Sequence, residues 1–266
     1  MLPLVADSLP ASTDELIAAL RRGFEAHGLT PREITSQGAE FPQLTSLSID
    51  LTGSEVTKEN LPSAVEGGGG TQSVGVADFQ LFGEPIYFMK TPLQVRIAAE
   101  KVQMVIAGTP QEGSLKLESA AAGKVSVATT KAALETLLLS VVSEAASKQG
   151  VTVKETKLTL KQEGPRAVTF RAEVTAKVFI MNATLALTGR LDVDDAFNAR
   201  LSSLGLDGDP MVTGLAGSFL RPRFQQLEGR DFPLLAFSPG GLKLRNIEVS
   251  VTPELELHAQ FGGGEV

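Results

Sequence analysis

The chain has 266 residues, 42% apolar and 21% charged, which is enough hydrophobic material for one substantial core or two small ones and excludes disorder as its dominant state. Its 24 basic and 31 acidic residues leave a formal net charge of −7, so there is no global basic field for nucleic acid or for holding the whole molecule on an anionic bilayer. Cysteine is absent and there are two histidines, His27 and His258, which excludes thiolate catalysis and cysteine-ligated metals and leaves little material for metal or triad chemistry.

The opening MLPLVADSLPASTDE has no basic residue before Arg21 and no apolar run of signal-peptide length. No stretch approaches the roughly 20 uninterrupted apolar residues that span a bilayer. The chain as it stands therefore reads as soluble and cytoplasmic, or as extracytoplasmic if a leader has been removed. Residues 12–27 form the first predicted element, an amphipathic helix. Ser12 and Glu15 supply a capping box, Leu16, Ile17, Leu20 and Phe24 share a face, and Gly28 stops it. Residues 44–52 alternate as a strand, and the run Gly67–Gly70 is a flexible turn, since neither a following Lys-Ser/Thr nor G-x-G-x-x-G spacing makes it a phosphate loop. Between 74 and 128 come further strands bounded by glycine or proline.

Residues 129–149 are the strongest helical pattern, with threonines for the N-cap and Gly150 at the end. Leu137, Leu138 and Leu139 are consecutive, so at ~100° per residue this helix asks for apolar neighbours on more than one side. From 166 to 180, Val168, Phe170, Ala172, Val174, Ala176, Val178 and Ile180 alternate with residues that face water, a long half-buried strand. Residues 183–193 alternate in the opposite parity, which predicts a tight turn or bulge in the FIMN stretch and an antiparallel hairpin or a sharply bent continuation. Asp209 and Pro210 read as the start of a helix over about 211–229, interrupted by Pro222. Two closing strands, 242–251 and 254–261, precede a loose tail.

These parts predict an α+β fold in which a long, strongly curved antiparallel sheet wraps around the central helix, with an N-terminal helix attached. Residues 1–43 form the helical segment, 44–261 a single domain and 262–266 the tail.

Catalytic signatures are missing. The string GLAGSFL around Ser218 lacks the spacing of a nucleophile elbow. Asp192, Asp194, Asp195, Asp207 and Asp209 do not continue into a calcium loop, and solvated strand ends and a helix cap account for them more simply. His258 stands without a second ligand and reads as a surface or edge-strand residue. Arg221, Arg223 and Arg230 flank Phe219, Leu220 and Phe224, a set that suits a lipid phosphate with an acyl chain against the rings, although a solvated arginine face is the plainer reading.

The order of features resembles the LmeA-like phospholipid-binding family, bacterial relatives of the tubular lipid-binding superfamily. The likeness spans about 74–261 and is clearest over 151–261, in VTVKETKLTL, FRAEVTAKVFI, ATLALTGRLDV and the S-P-G-G-L-K-L-R-N-I-E-V run at 238–249. It implies a helix cradled by a curved sheet, with a groove that accepts acyl chains and no catalytic residue to carry over. Two departures are visible: many relatives carry an export signal or membrane anchor that this chain lacks, and residues 1–43 have no counterpart.

The expected function is non-enzymatic binding or transport of a phospholipid, fatty acid or other elongated apolar ligand, with transient contact at a membrane surface. The groove is expected to be lined by Leu134, Leu138, Val141 and Val142 of the helix, by Val168, Phe170, Val174 and Val178 of the long strand, and by Phe219 and Phe224, with Arg221 and Arg223 at a headgroup. Neither a cofactor nor a metal is expected. The rival is a structural or interaction protein with a filled core, whose partner surface is the 12–27 helix. A lipid-active enzyme ranks last, because no nucleophile and base pair can be named.

Overall fold

The computed structural model describes residues 1–38, 40–57, 72–88, 90–147, 151–178, 181–210, 213, 225–237, 243–252 and 254–262. Among the described residues 63% lie in strands and 16% in helices. By contacts the chain divides into two compact units, one of Met1–Ala128, Ser238–Asn246 and His258–Val266, the other of Thr129–Phe237 and Ile247–Leu257.

In chain order the elements begin with β1 (Leu2–Leu4), α1 (Thr13–Ala26), β2 (Glu33–Gln37), β3 (Gln43–Asp50), β4 (Glu55–Val56), β5 (Gln72–Phe88), β6 (Thr91–Gly108), β7 (Gly113–Ser119) and β8 (Ala122–Thr129). There follow α2 (Lys131–Ser147), β9 (Thr152–Gly164), β10 (Ala167–Val178), β11 (Met181–Val193), β12 (Asn198–Gly208), β13 (Asp231–Pro233), a short turn of 3-10 helix (Leu234–Phe237), β14 (Lys243–Ser250) and β15 (Leu255–Gly262). The first sheet runs β14-β15-β8-β6-β5-β3-β2, with β4 on β5 and with β7 joining β6 to β1. The second runs β13-β12-β11-β10-β9.

In the first unit, α1 is capped as its sequence predicts. The Ser12 hydroxyl accepts from the Glu15 N–H at 3.2 Å and the Glu15 carboxylate accepts from the Ala11 N–H at 2.7 Å. Gly28, at φ 70°, follows the helix end. Leu16, Leu20 and Phe24 turn inward to join Leu4, Leu47, Ile49, Val74, Val76, Val102 and Ile106 in one core. The helix reaches β1 closely enough for Val5 N–H to donate to Ala19 C=O at 3.0 Å. Gly23 permits that approach, since a Cβ there would collide with the Pro3 carbonyl.

Two expectations hold locally. Thr130 caps α2, its hydroxyl accepting from the Ala133 N–H at 3.1 Å. β10 and β11 form an antiparallel hairpin in register from Ala167↔Asp192 to Val178↔Met181. The 211–229 helix falls mostly outside the described residues; what is described is helical at Pro210, at Thr213, whose N–H donates to Asp209 C=O at 2.8 Å, and at Gln225–Leu227.

The expected architecture is overturned. The described residues are mostly sheet, the two sheets they form neither close nor curl strongly, and the helices described are short, with none at the centre of a wrapped sheet. α2 has 17 residues and lies on β9, the last strand of the second sheet: the Thr156 hydroxyl donates to Glu135 C=O at 2.7 Å and the Leu158 N–H donates to the Glu135 carboxylate at 2.8 Å. Leu137, Leu138 and Leu139 are all half-buried, so the broad apolar circumference is left partly open where a wrapped helix would bury it. Alternation along a strand reports which face is apolar; it carries no information on curvature or on which element covers that face.

Candidate functional site

Within the second unit, the residues expected to line a groove fall on two elements. On β10, Val168 is buried while Phe170 and Val174 are half-buried, and on α2 Leu134, Leu138 and Val142 are half-buried. The side chains of Val141 and Val178 lie outside the described residues, as do Phe219, Phe224, Arg221 and Arg223 entirely. Register places Leu191, Gly189, Leu187 and Leu185 of β11 opposite Val168, Phe170, Ala172 and Val174, with Leu160, Leu158 and Thr156 of β9 on the other side. Phe170 and Leu204 close over Gly189, where a Cβ would lie 2.5 Å and 2.8 Å from their carbon atoms. Ser203, at φ 54°, marks the irregularity that aims Leu204 there.

The opposite face of that sheet is ionic. Arg171 bonds Glu173 at 2.9 Å and approaches Asp207 at 3.6 Å, and Arg190 bonds Asp192 at 2.7 Å. These carboxylates hold both guanidiniums above their ordinary value. The Lys161 ammonium, 2.8 Å from Glu163, holds that carboxyl below its usual range. At the β11–β12 turn the Asn198 N–H, 2.8 Å from Asp194, lowers the Asp194 carboxyl in the same way. Each of these groups has a structural partner in the sheet or its turns.

A concave apolar site lies in the first unit, on strands for which the sequence suggested no ligand. β5, β6 and β8 pair there with Phe79↔Ala99↔Gly123 and Leu81↔Ile97↔Val125 in register. The large side chains Phe79, Leu81, Ile97 and Val125 surround Ala99 and Gly123, which bring almost no side chain to the floor. Met104, Leu115 and Leu117 continue the wall where β6 exchanges β8 for β7, and Met1, Leu2 and Phe261 complete it. The apolar positions of β6 change parity across Lys101, at φ 49°, from Ile97 and Ala99 to Val102, Met104 and Ile106. The result is a cavity of about 220 Å³, with Lys124 the one ionisable side chain among its described lining residues. A second depression of about 180 Å³ shares Phe79, Ala98, Ala99, Gly123 and Lys124 and adds Asp78, Gln80, Glu100 and Ala122. The sheet is thin at this small-residue window. The sequence signal that could have located it is the Ala98-Ala99 pair inside PLQVRIAAEKVQMVIAG, an interruption in a strand otherwise lined with larger apolar residues.

Among the described residues no group of three or more histidine or acidic side chains is placed to hold a metal ion, and no helix is long and apolar enough to cross a membrane. Comparison with family models, with curated proteins and with solved structures returns no match.

Proposed function

We propose that the protein binds an apolar ligand without performing chemistry on it, holding the hydrocarbon part of a fatty acid, a phospholipid or another elongated apolar molecule in the first-sheet cavity. The observation that carries this reading is a concave space of about 220 Å³ lined by methionine, leucine, isoleucine, valine and phenylalanine side chains. An apolar cavity of about 150 Å³ takes up benzene, so a space of this size and apolar lining is large enough for a comparable hydrocarbon group. Pockets that enclose whole drug-sized ligands start near 300 Å³. The site therefore suits a chain end or a compact apolar group, with the remainder of a larger molecule outside. Binding would come from burial, at ~25 cal/mol for each Å² of apolar surface removed from water. Among the described lining residues the ionisable groups are the Lys124 side chain and the Met1 α-amino group, with no carboxylate, imidazole or hydroxyl beside them, which favours a binder over an enzyme.

Native mass spectrometry of freshly purified protein, followed by organic extraction and lipid analysis, tests the reading. Additional mass that resolves into lipid at a reproducible stoichiometry is the expected result. A clean unliganded mass, with no uptake after incubation with mixed lipids, would overturn it in favour of a structural or interaction protein.

A further inference from the structure

We infer that Ala99 and Gly123 determine the length of hydrocarbon chain the first-sheet cavity accepts; this rests on the reading of that cavity as an apolar ligand site. The two residues pair directly across β6 and β8, and Phe79 stands on the other side of Ala99. Ala99 is only 8% exposed although its side chain ends at Cβ, while Leu81, Ile97 and Val125 around it are half-buried, so Ala99 lies at the bottom of the space and the larger side chains form its rim. Every other apolar position in these two rows carries a branched or aromatic side chain: Leu81, Ile97 and Val125 in one, Phe79 in the other. The cavity thus exists because two adjacent strands drop their side chains at the same level of the sheet. A carbon added to the floor displaces a carbon of the occupant. Scaled from benzene in about 150 Å³, the floor as it stands admits on the order of six to nine carbons. Ligands that differ only beyond that depth would be held alike, which makes this an end-reading site whose selectivity ignores the headgroup.

The test is a homologous series of straight-chain alcohols from butanol to dodecanol, titrated calorimetrically into the full-length protein and into Ala99→Leu. For the unaltered protein, affinity is expected to rise about fourfold per methylene until the cavity is full and then to level off. In Ala99→Leu, which adds three carbons to the floor, the plateau is expected about three carbons earlier, with the melting temperature unchanged or raised. Gly123→Ala, the milder change, is expected to shorten the accepted chain by about one carbon and serves if the leucine variant does not fold. Equal plateaus in all proteins would overturn the assignment of the floor and leave apolar binding standing. Failure of every alcohol to bind the unaltered protein would overturn both.

Discussion

The two units bury their apolar residues in different ways. In the first, Leu4, Leu16, Leu20, Leu47, Ile49 and Ile106 are each less than 2% exposed, because α1 and the strands around it present large side chains to one another. In the second, the buried members of β10 and β11 are mostly small, Ala172, Ala176, Ala183 and Ala186 beside Val168, while Phe170, Val174, Leu185 and Leu187 stay half-buried. Large side chains fully removed from water carry most of the hydrophobic stabilisation. Stability should therefore be concentrated in the first unit, where the cavity also lies, and the second should open at lower free energy.

The sharpest way to break this comparison is a pair of truncations. Leu47→Ala is expected to cost about 3.5 kcal/mol in urea unfolding, in the middle of the range for buried leucines, whereas Leu187→Ala should cost less than about half as much. Equal losses would mean that the second sheet is better covered than its exposure indicates. Gly23→Ala comes next. Helix propensity alone predicts a gain of up to about 1 kcal/mol, but collision with the Pro3 carbonyl should turn it into a net loss of about 1–2 kcal/mol, read as a lowered melting temperature. In the second unit, Thr156→Val removes the bond to Glu135 C=O and should cost about 1 kcal/mol, with faster amide exchange in α2 as its local signature. Ser114→Ala should go the other way. Its hydroxyl is buried without a hydrogen-bond partner among the described residues, so removing it is expected to raise stability by up to about 1 kcal/mol. The smallest effect concerns acid. Asp194 has a folded-state pKa below its unfolded value, so its contribution is complete above about pH 4 and fades as the pH falls through the folded value. Asp194→Asn should differ from the unaltered protein near neutrality and converge with it in strong acid.

Sequence periodicity was sufficient wherever the controlling interactions are local. Ser12 and Glu15 announced α1, the alternation from Val168 to Val178 announced β10, and the parity change after it allowed a hairpin or a sharp bend, of which the structure has the hairpin with β11. The architecture was not legible, because whether α2 lies inside a curled sheet or against the edge strand β9 depends on contacts between residues 20 or more positions apart, such as Thr156 with Glu135. β1 escaped notice because a three-residue strand is too short to show a period; its evidence lies in its pairing with Leu115, Ser114 and Gly113. The cavity escaped for a related reason. Ala99 and Gly123 are unremarkable singly and form a floor only through the register of β6 and β8. Of the residues expected to form a lipid groove, those that are described lie on β10 and α2, while the cavity is built by strands to which the sequence assigned no role beyond being strands.

The bond from Leu158 to Glu135 also bears on how the protein is made. β9 is the terminal strand of its sheet, and a free strand edge is a template for joining other chains. Lys154, Lys157 and Lys161 along it discourage such pairing by charge, and Glu135 occupies one of its backbone donors. Synthesis proceeds from the N-terminus, so α2 leaves the ribosome before β9, and the carboxylate that shields this edge is available before the edge itself emerges.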